Sequence, residues 1–138
     1  VEVELSVDES ANGVLYALGG AAGGLTCYME DGYLCYEYNL MIIERYTVRS
    51  IKPLQPGQHS IVVDTSLPKP GGPLTVVMSV DGQQVAAMTT KRSVPAAFSA
   101  SETFDVGVDL GSPVSRVYDE RRPFKFDGTI SRVQVDLK

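Results

Sequence analysis

From the first residue the chain alternates apolar and polar side chains with a period of two. VEVELSVD (residues 1–8) places Val1, Val3, Leu5 and Val7 on one face and Glu2, Glu4, Ser6 and Asp8 on the other. That is the signature of a strand buried on one side and solvated on the other. A second apolar run, Val14 to Leu18, leads into the glycine-rich GGAAGG of residues 19–24. No segment carries a sustained 3.6-residue stripe bounded by helix caps. The pattern predicts an all-β protein.

Two Asp-Gly pairs mark hairpins, because both residues tolerate the left-handed backbone that tight two-residue turns require. Asp31-Gly32 separates LTCYME from YLCYEY. A two-residue loop sets Glu30 opposite Tyr33, Met29 opposite Leu34 and Cys27 opposite Tyr36. Leu25, Cys27, Met29, Leu34, Tyr36 and Tyr38 then share an apolar face, while Cys35 falls on the other. Sulfurs on opposite faces of one hairpin cannot meet, so no Cys27–Cys35 disulfide is expected. At Asp81-Gly82 the same logic sets Met78 opposite Val85 and Val76 opposite Ala87.

Further along, Pro56-Gly57 reads as a turn and Ile61, Val63 and Leu67 as one strand face. PKPGGP (68–73) is a loop, since prolines cannot donate to a sheet ladder. Phe104, Val106, Val108 and Leu110 share a parity. The last strand reads as starting at Phe124, Phe126 and Ile130 and finishing at Val133, Val135 and Leu137, with a β-bulge where the parity changes. About ten short strands at close intervals suggest a sandwich or jelly roll ahead of a closed barrel.

The length of 138 residues fits a single domain spanning 1–138, and 43% hydrophobic with 21% charged residues is ordinary for a globular one. A formal net charge of −5 with scattered Lys and Arg argues against a nucleic-acid partner. No apolar run approaches the roughly 18 residues of a membrane span, so no membrane is expected either. The first residues contain neither a basic nor a long apolar leader region, so no targeting segment is read in them and localisation stays open. The chain begins in mid-pattern without methionine, which suggests a fragment of a larger chain or a processed one.

Little of this carries chemistry. His59 opens a strand and reads as an exposed strand-end residue, and neither cysteine has a neighbouring base. One histidine and two cysteines do not make a zinc site. Glu2 and Glu4 share a face but sit on a solvated strand, so the paired carboxylates of a glycosidase are absent. Calcium is the remaining metal candidate: Asp105, Asp109 and Asp119 flank the glycine-bearing stretch DVGVDLGSPVS (105–115), though Asp105 also reads as a solvent-facing strand residue. No other cofactor is expected. Tyr28, Tyr33, Tyr36, Tyr38 and Tyr46 crowd one third of the chain, half facing the core and half available as an exposed platform for a carbohydrate or a partner.

The segments GGLTCYMEDGYLCYEYNLMIIERYTVRS (23–50), LQPGQHSI (54–61), VVMSVDGQQVA (76–86) and TFDVGVDLGSPVSRVYDERRPFKFDGTISRVQVDL (103–137) together resemble the C-terminal β-sandwich domain of large bacterial arylsulfatases. The similarity covers nearly the whole chain in order, and its most specific part is DxGSPVS…Y…PFKFxGTI…V. It implies an antiparallel, lectin-like (concanavalin A-like) jelly roll trailing a sulfatase catalytic domain. The implied role is non-catalytic: packing against that catalytic domain of the same polypeptide, or helping to position a sulfated substrate. Sulfatases form formylglycine in a Cys/Ser-x-Pro-x-Arg motif. CYMED at Cys27 and CYEYN at Cys35 do not fit it, and Ser66-Leu67-Pro68-Lys69-Pro70 has proline where arginine is needed. No enzyme activity is expected of this chain. Asp109, Ser112, Tyr118, Arg121 and Arg122 are the candidate binding or domain-interface residues. For Arg121 and Arg122, solvated loop charges and a sulfate-ester contact are the other readings. A stand-alone glycan-binding module, calcium-dependent in one form, is the main rival, and an oligomerisation domain a third.

Overall fold

The computed structural model describes residues 1–93 and 104–136. Ten strands lie among them: β1 (Glu2–Val7), β2 (Gly13–Gly20), β3 (Gly23–Glu30), β4 (Tyr33–Leu40), β5 (Glu44–Arg49), β6 (Gly57–Ser66), β7 (Thr75–Val80), β8 (Gln83–Thr89), β9 (Phe104–Val106) and β10 (Thr129–Gln134). They form two antiparallel five-stranded sheets, ordered β10-β1-β6-β7-β8 and β5-β4-β3-β2-β9. The protein is a β-sandwich. Two meanders, β2 to β5 and β6 to β8, account for most of it, and the chain crosses between the sheets after β1, β5, β8 and β9.

The facing sides of the sheets make the main core. Val3, Leu5 and Val7 of β1, Ile61 and Val63 of β6, and Val76 and Met78 of β7 meet Cys27, Met29, Leu34, Tyr36 and Tyr38 from the other sheet. The register at Asp31-Gly32 is the expected one, with Glu30, Met29 and Cys27 opposite Tyr33, Leu34 and Tyr36. Asp31 and Gly32 both adopt positive φ, at 50° and 88°. Both cysteines are free thiols. The parity change in β10 is also present: Leu5 pairs with Ile130 but Glu4 with Arg132, so Ser131 is the extra residue.

Four expectations fail, each for a local reason. At the Asp81-Gly82 hairpin, Met78 pairs with Ala86 and Val76 with Met88, because the register shifts by one between Met78 and Ser79. The bulge lets the larger Met88 pack on the core in place of Ala87. Leu67 lies beyond the end of β6 and is exposed. Phe104, Val106 and Leu110 point outward, and it is Asp105 that is buried. Finally, the last strand starts at Thr129, not Phe124. Phe126 enters the main core while Phe124 joins a separate cluster. Val135 follows the strand and is exposed, and Leu137 lies outside the described residues.

The separate cluster explains why β2, β3 and β4 are buried on both sides. A bulge at Leu15 lets Leu15 and Tyr16 both face the main core. Val14 and Ala17 of β2, Tyr28 of β3 and Cys35 of β4 lie on the outer face, where Val114, Tyr118 and Phe124 cover them. The covering segment is fastened to β2 at Gly13 and Val14: the Val14 amide donates to the Phe124 carbonyl at 2.8 Å. Gly13 has a φ of 119°, and a Cβ there would sit 2.3 Å from Phe126 Cα. Gly13→Ala should therefore lose about 1–3 kcal/mol from backbone strain, before any displacement of residues 125–126. Urea unfolding measures this, and a variant as stable as the parent would contradict the close approach.

Candidate functional site

The stretch from Asp105 to Ser115 begins the outer cover, and its aspartates are structural. Asp109 is fully buried; its Oδ2 accepts from the Val114 amide at 2.8 Å and the Tyr118 hydroxyl at 2.5 Å. Its own amide donates to the Pro123 carbonyl at 2.8 Å, so one residue ties three points of the segment together. Asp105, also buried, accepts from the Leu110 amide at 2.9 Å. Asp119 is exposed in a short 3-10 turn (Asp119–Arg121) and pairs with Arg122 at 3.6 Å. The three aspartates thus do not converge, and no group of three metal-ligating side chains forms among the described residues.

Tyr118 packs under this cover. Its ring stacks on Phe124 at 5.0 Å between centroids and meets the Tyr28 ring edge-on at 5.4 Å. Its hydroxyl also lies 3.1 Å from the Thr26 hydroxyl. Burial, reinforced by the hydrogen bond to Asp109, pushes the phenol well above its ordinary range, so it stays a donor. Arg121 closes the edge: its guanidinium sits 4.4 Å above the Phe124 ring and pairs with Glu30 at 2.8 Å. Of the expected tyrosine platform, Tyr28, Tyr36 and Tyr38 are buried and Tyr33 and Tyr46 half-buried, so no exposed platform forms from them.

The cover is stapled to β4 and β5 by groups that the sequence reading passed over. Glu37 is 3% exposed and holds a buried carboxylate on the outer face. Arg45 Nη1 donates to its Oε2 at 2.8 Å and to the Val114 carbonyl at 2.8 Å, and the Ser115 hydroxyl donates to its Oε1 at 2.9 Å. A buried charge requires this pairing. Asn39, fully buried, donates to the Ala21 carbonyl at 2.9 Å and the Val114 carbonyl at 3.3 Å. Its Oδ1 accepts from the Ile42 amide at 3.0 Å, which fixes the β4–β5 turn.

That turn is unusual. Met41 and Ile42 have φ of 51° and 69°, and a β-branched residue in this region is an outlier whose strain calls for a function. Met41, Ile42 and Ile43 are 49%, 54% and 70% exposed. Ile42 also borders a cleft of about 310 Å³ that contains Arg45, Arg116, Arg122, Ser112 and Asp119. The signal was present in the sequence: Leu40 to Ile43 is an unbroken apolar run where a hairpin turn wants polar residues.

His59 is not an exposed strand end. Its side chain is 13% exposed, with Nδ1 2.6 Å from Asp81 Oδ2 and Nε2 2.5 Å from the Gln55 carbonyl. It clasps the β7–β8 turn to the 51–56 loop, beside a cleft of about 350 Å³ that includes Ile51, Leu54, Gln84 and Val85. Partial burial lowers its pKa, but the bonds to Gln55 and Asp81 outweigh this and raise it above 6.5. The Ser60 amide, then His59, lowers that of Asp81 from 3.8. No protein-family model matches the chain, and no curated protein matches it in sequence.

Two outcomes follow from these geometries. Tyr118→Phe removes the donor to buried Asp109 and should cost about 1–3 kcal/mol in urea unfolding; an unchanged midpoint would show that Asp109 does not depend on it. The His59 clasp contributes fully below pH 6.5 and fades as pH rises through the raised folded value; on the acid side it is lost as pH falls through the lowered Asp81 value. Stability measured from pH 5 to 9 should decline by less than about 1 kcal/mol from this source, and His59→Gln should flatten that decline.

Proposed function

We propose that this chain is the non-catalytic accessory domain of an arylsulfatase, and that it packs through the β4–β5 turn against the catalytic domain of the same polypeptide. The observation that carries the docking part is the exposed Met41-Ile42-Ile43 tip, held in a strained left-handed conformation by buried Asn39. Apolar side chains on a turn braced this firmly are poorly placed for a life in water and well suited to a pocket on another surface. The basic cleft beside them supplies a polar rim. The sulfatase part, and the finer assignment of a lectin-like jelly roll, rest on the resemblance of the DxGSPVS…Y…PFKFxGTI segment, whose residues here build the outer cover. The rival sugar-binding module loses the support that an exposed tyrosine platform gave it.

Two measurements test this reading. The natural reading frame upstream of the Val1 codon should contain a Cys/Ser-x-Pro-x-Arg motif within a few hundred codons, and a frame without one removes the sulfatase assignment. In the longer chain, amide hydrogen exchange at residues 41–43 should be slower than in the 138-residue protein alone. Equal exchange rates would remove the tip as the docking surface.

A further inference from the structure

We infer that the cleft beside the β4–β5 turn is a binding site for a tetrahedral oxyanion ester, a sulfate or phosphate monoester. It uses the cleft that the docking reading takes as a polar rim, and its test on the 138-residue protein alone is decided whether or not that reading holds. In a chain with a net charge of −5, three arginines line this one cleft: Arg45 from β5, and Arg116 and Arg122 from either side of the 3-10 turn in the outer cover.

Their states differ in a way that assigns roles. Arg45 is the fixed wall: Glu37 and the Val114 carbonyl hold its Nη1, and Glu37 balances its charge. The Ser115 hydroxyl is committed to Glu37 and the Val117 amide, so it is not a ligand donor. Recognition therefore falls to Arg116 and Arg122. Arg116 is exposed and forms no ion pair among the described residues. Arg122 is 62% exposed and only loosely paired with Asp119 at 3.6 Å. A guanidinium presents its donors as a planar fork matched to two oxygens of one oxyanion, and two forks across a cleft match a tetrahedral group better than a planar carboxylate. The cleft volume of about 310 Å³ exceeds a bare oxyanion and leaves room for the group that carries it, with Ile42 on the rim as apolar contact. Asp119 acts as an internal competitor for Arg122, so it limits affinity and makes the site selective for ligands that outbid a surface carboxylate.

The test is a titration of the isotopically labelled 138-residue protein, followed by amide NMR at constant ionic strength made up with chloride. The probes are inorganic sulfate, inorganic phosphate, glucose 6-sulfate and glucose 6-phosphate. Saturable shifts confined to residues 112–122 and the 42–45 region are expected, and the ratio between sulfate and phosphate arms states which ester the site prefers. Arg116→Ala and Arg122→Ala, both at exposed positions, should each weaken binding about tenfold. Arg116→Lys should recover only part, because it keeps the charge and loses the fork. Asp119→Asn should strengthen binding severalfold, which a merely structural role for these residues would not produce. Shifts that fail to saturate, that spread equally to Lys52 and Arg49, or that survive the Arg116→Ala/Arg122→Ala double variant would overturn the site.

Discussion

The cover on the outer face of one sheet is organised from within by a buried carboxylate. Asp109, with no exposure to solvent, receives the Val114 amide and the Tyr118 hydroxyl, and its own amide reaches the Pro123 carbonyl. An aspartate removed from water is tolerable only when donors meet it, and the two that reach its Oδ2 come from the segment that it organises. The consequence is a third layer. A two-sheet sandwich would leave Val14, Ala17, Tyr28 and Cys35 facing water; the stretch from Asp109 to Phe124 covers them without forming a strand of its own. Cys35 shows the effect chemically, because burial pushes its thiol up to about 12 and leaves it unreactive at neutral pH.

The hairpins were legible because their determinants are local. Asp31-Gly32 dictates a two-residue turn, the alternation on either side dictates the register, and the two agree. The misreadings share one cause: periodicity assigns faces correctly only where the ladder is unbroken and one face is wet. A one-residue bulge in the β7–β8 pair and another at Leu15 shift the count without any compositional mark. Asp105 and Phe104 were assigned to the wrong sides because the alternation itself does not say which face is covered. The Leu110 amide, five residues on, helps make burial of that aspartate acceptable. Glu37 is the same case, since its partners Arg45 and Ser115 lie 8 and 78 residues away.

The candidate site follows the same division. Arg122 was singled out from the sequence as one of a local pair, yet the structure separates the two: Arg121 is spent on Glu30 and the Phe124 ring, and Arg122 turns to the cleft. Arg116 lies six residues before it in the same segment, but Arg45 joins them only through folding, so no spacing in the chain announces the full group. The strained apolar turn beside them was visible as a violation of pattern. Places where a sequence breaks a local rule and the structure holds it there at a cost are where function is expected to reside.

The pairing of β1 with β10 has a consequence for how the molecule comes into being. Glu2 lies in register opposite Gln134, with the other described strands between them in sequence. During synthesis the β2–β5 meander holds its partners within a few dozen residues and can assemble as soon as it leaves the ribosome. The first strand has β6 to wait for on one side and β10, the last strand of the sandwich, on the other, and the outer cover arrives nearly as late as β10. Non-local closures of this kind slow folding and prolong the exposure of unpaired strand edges. Nascent chains of this protein therefore hold both meanders while the outer face is still bare, which makes the arrival of the cover and β10 the step at which chaperone binding competes with completion.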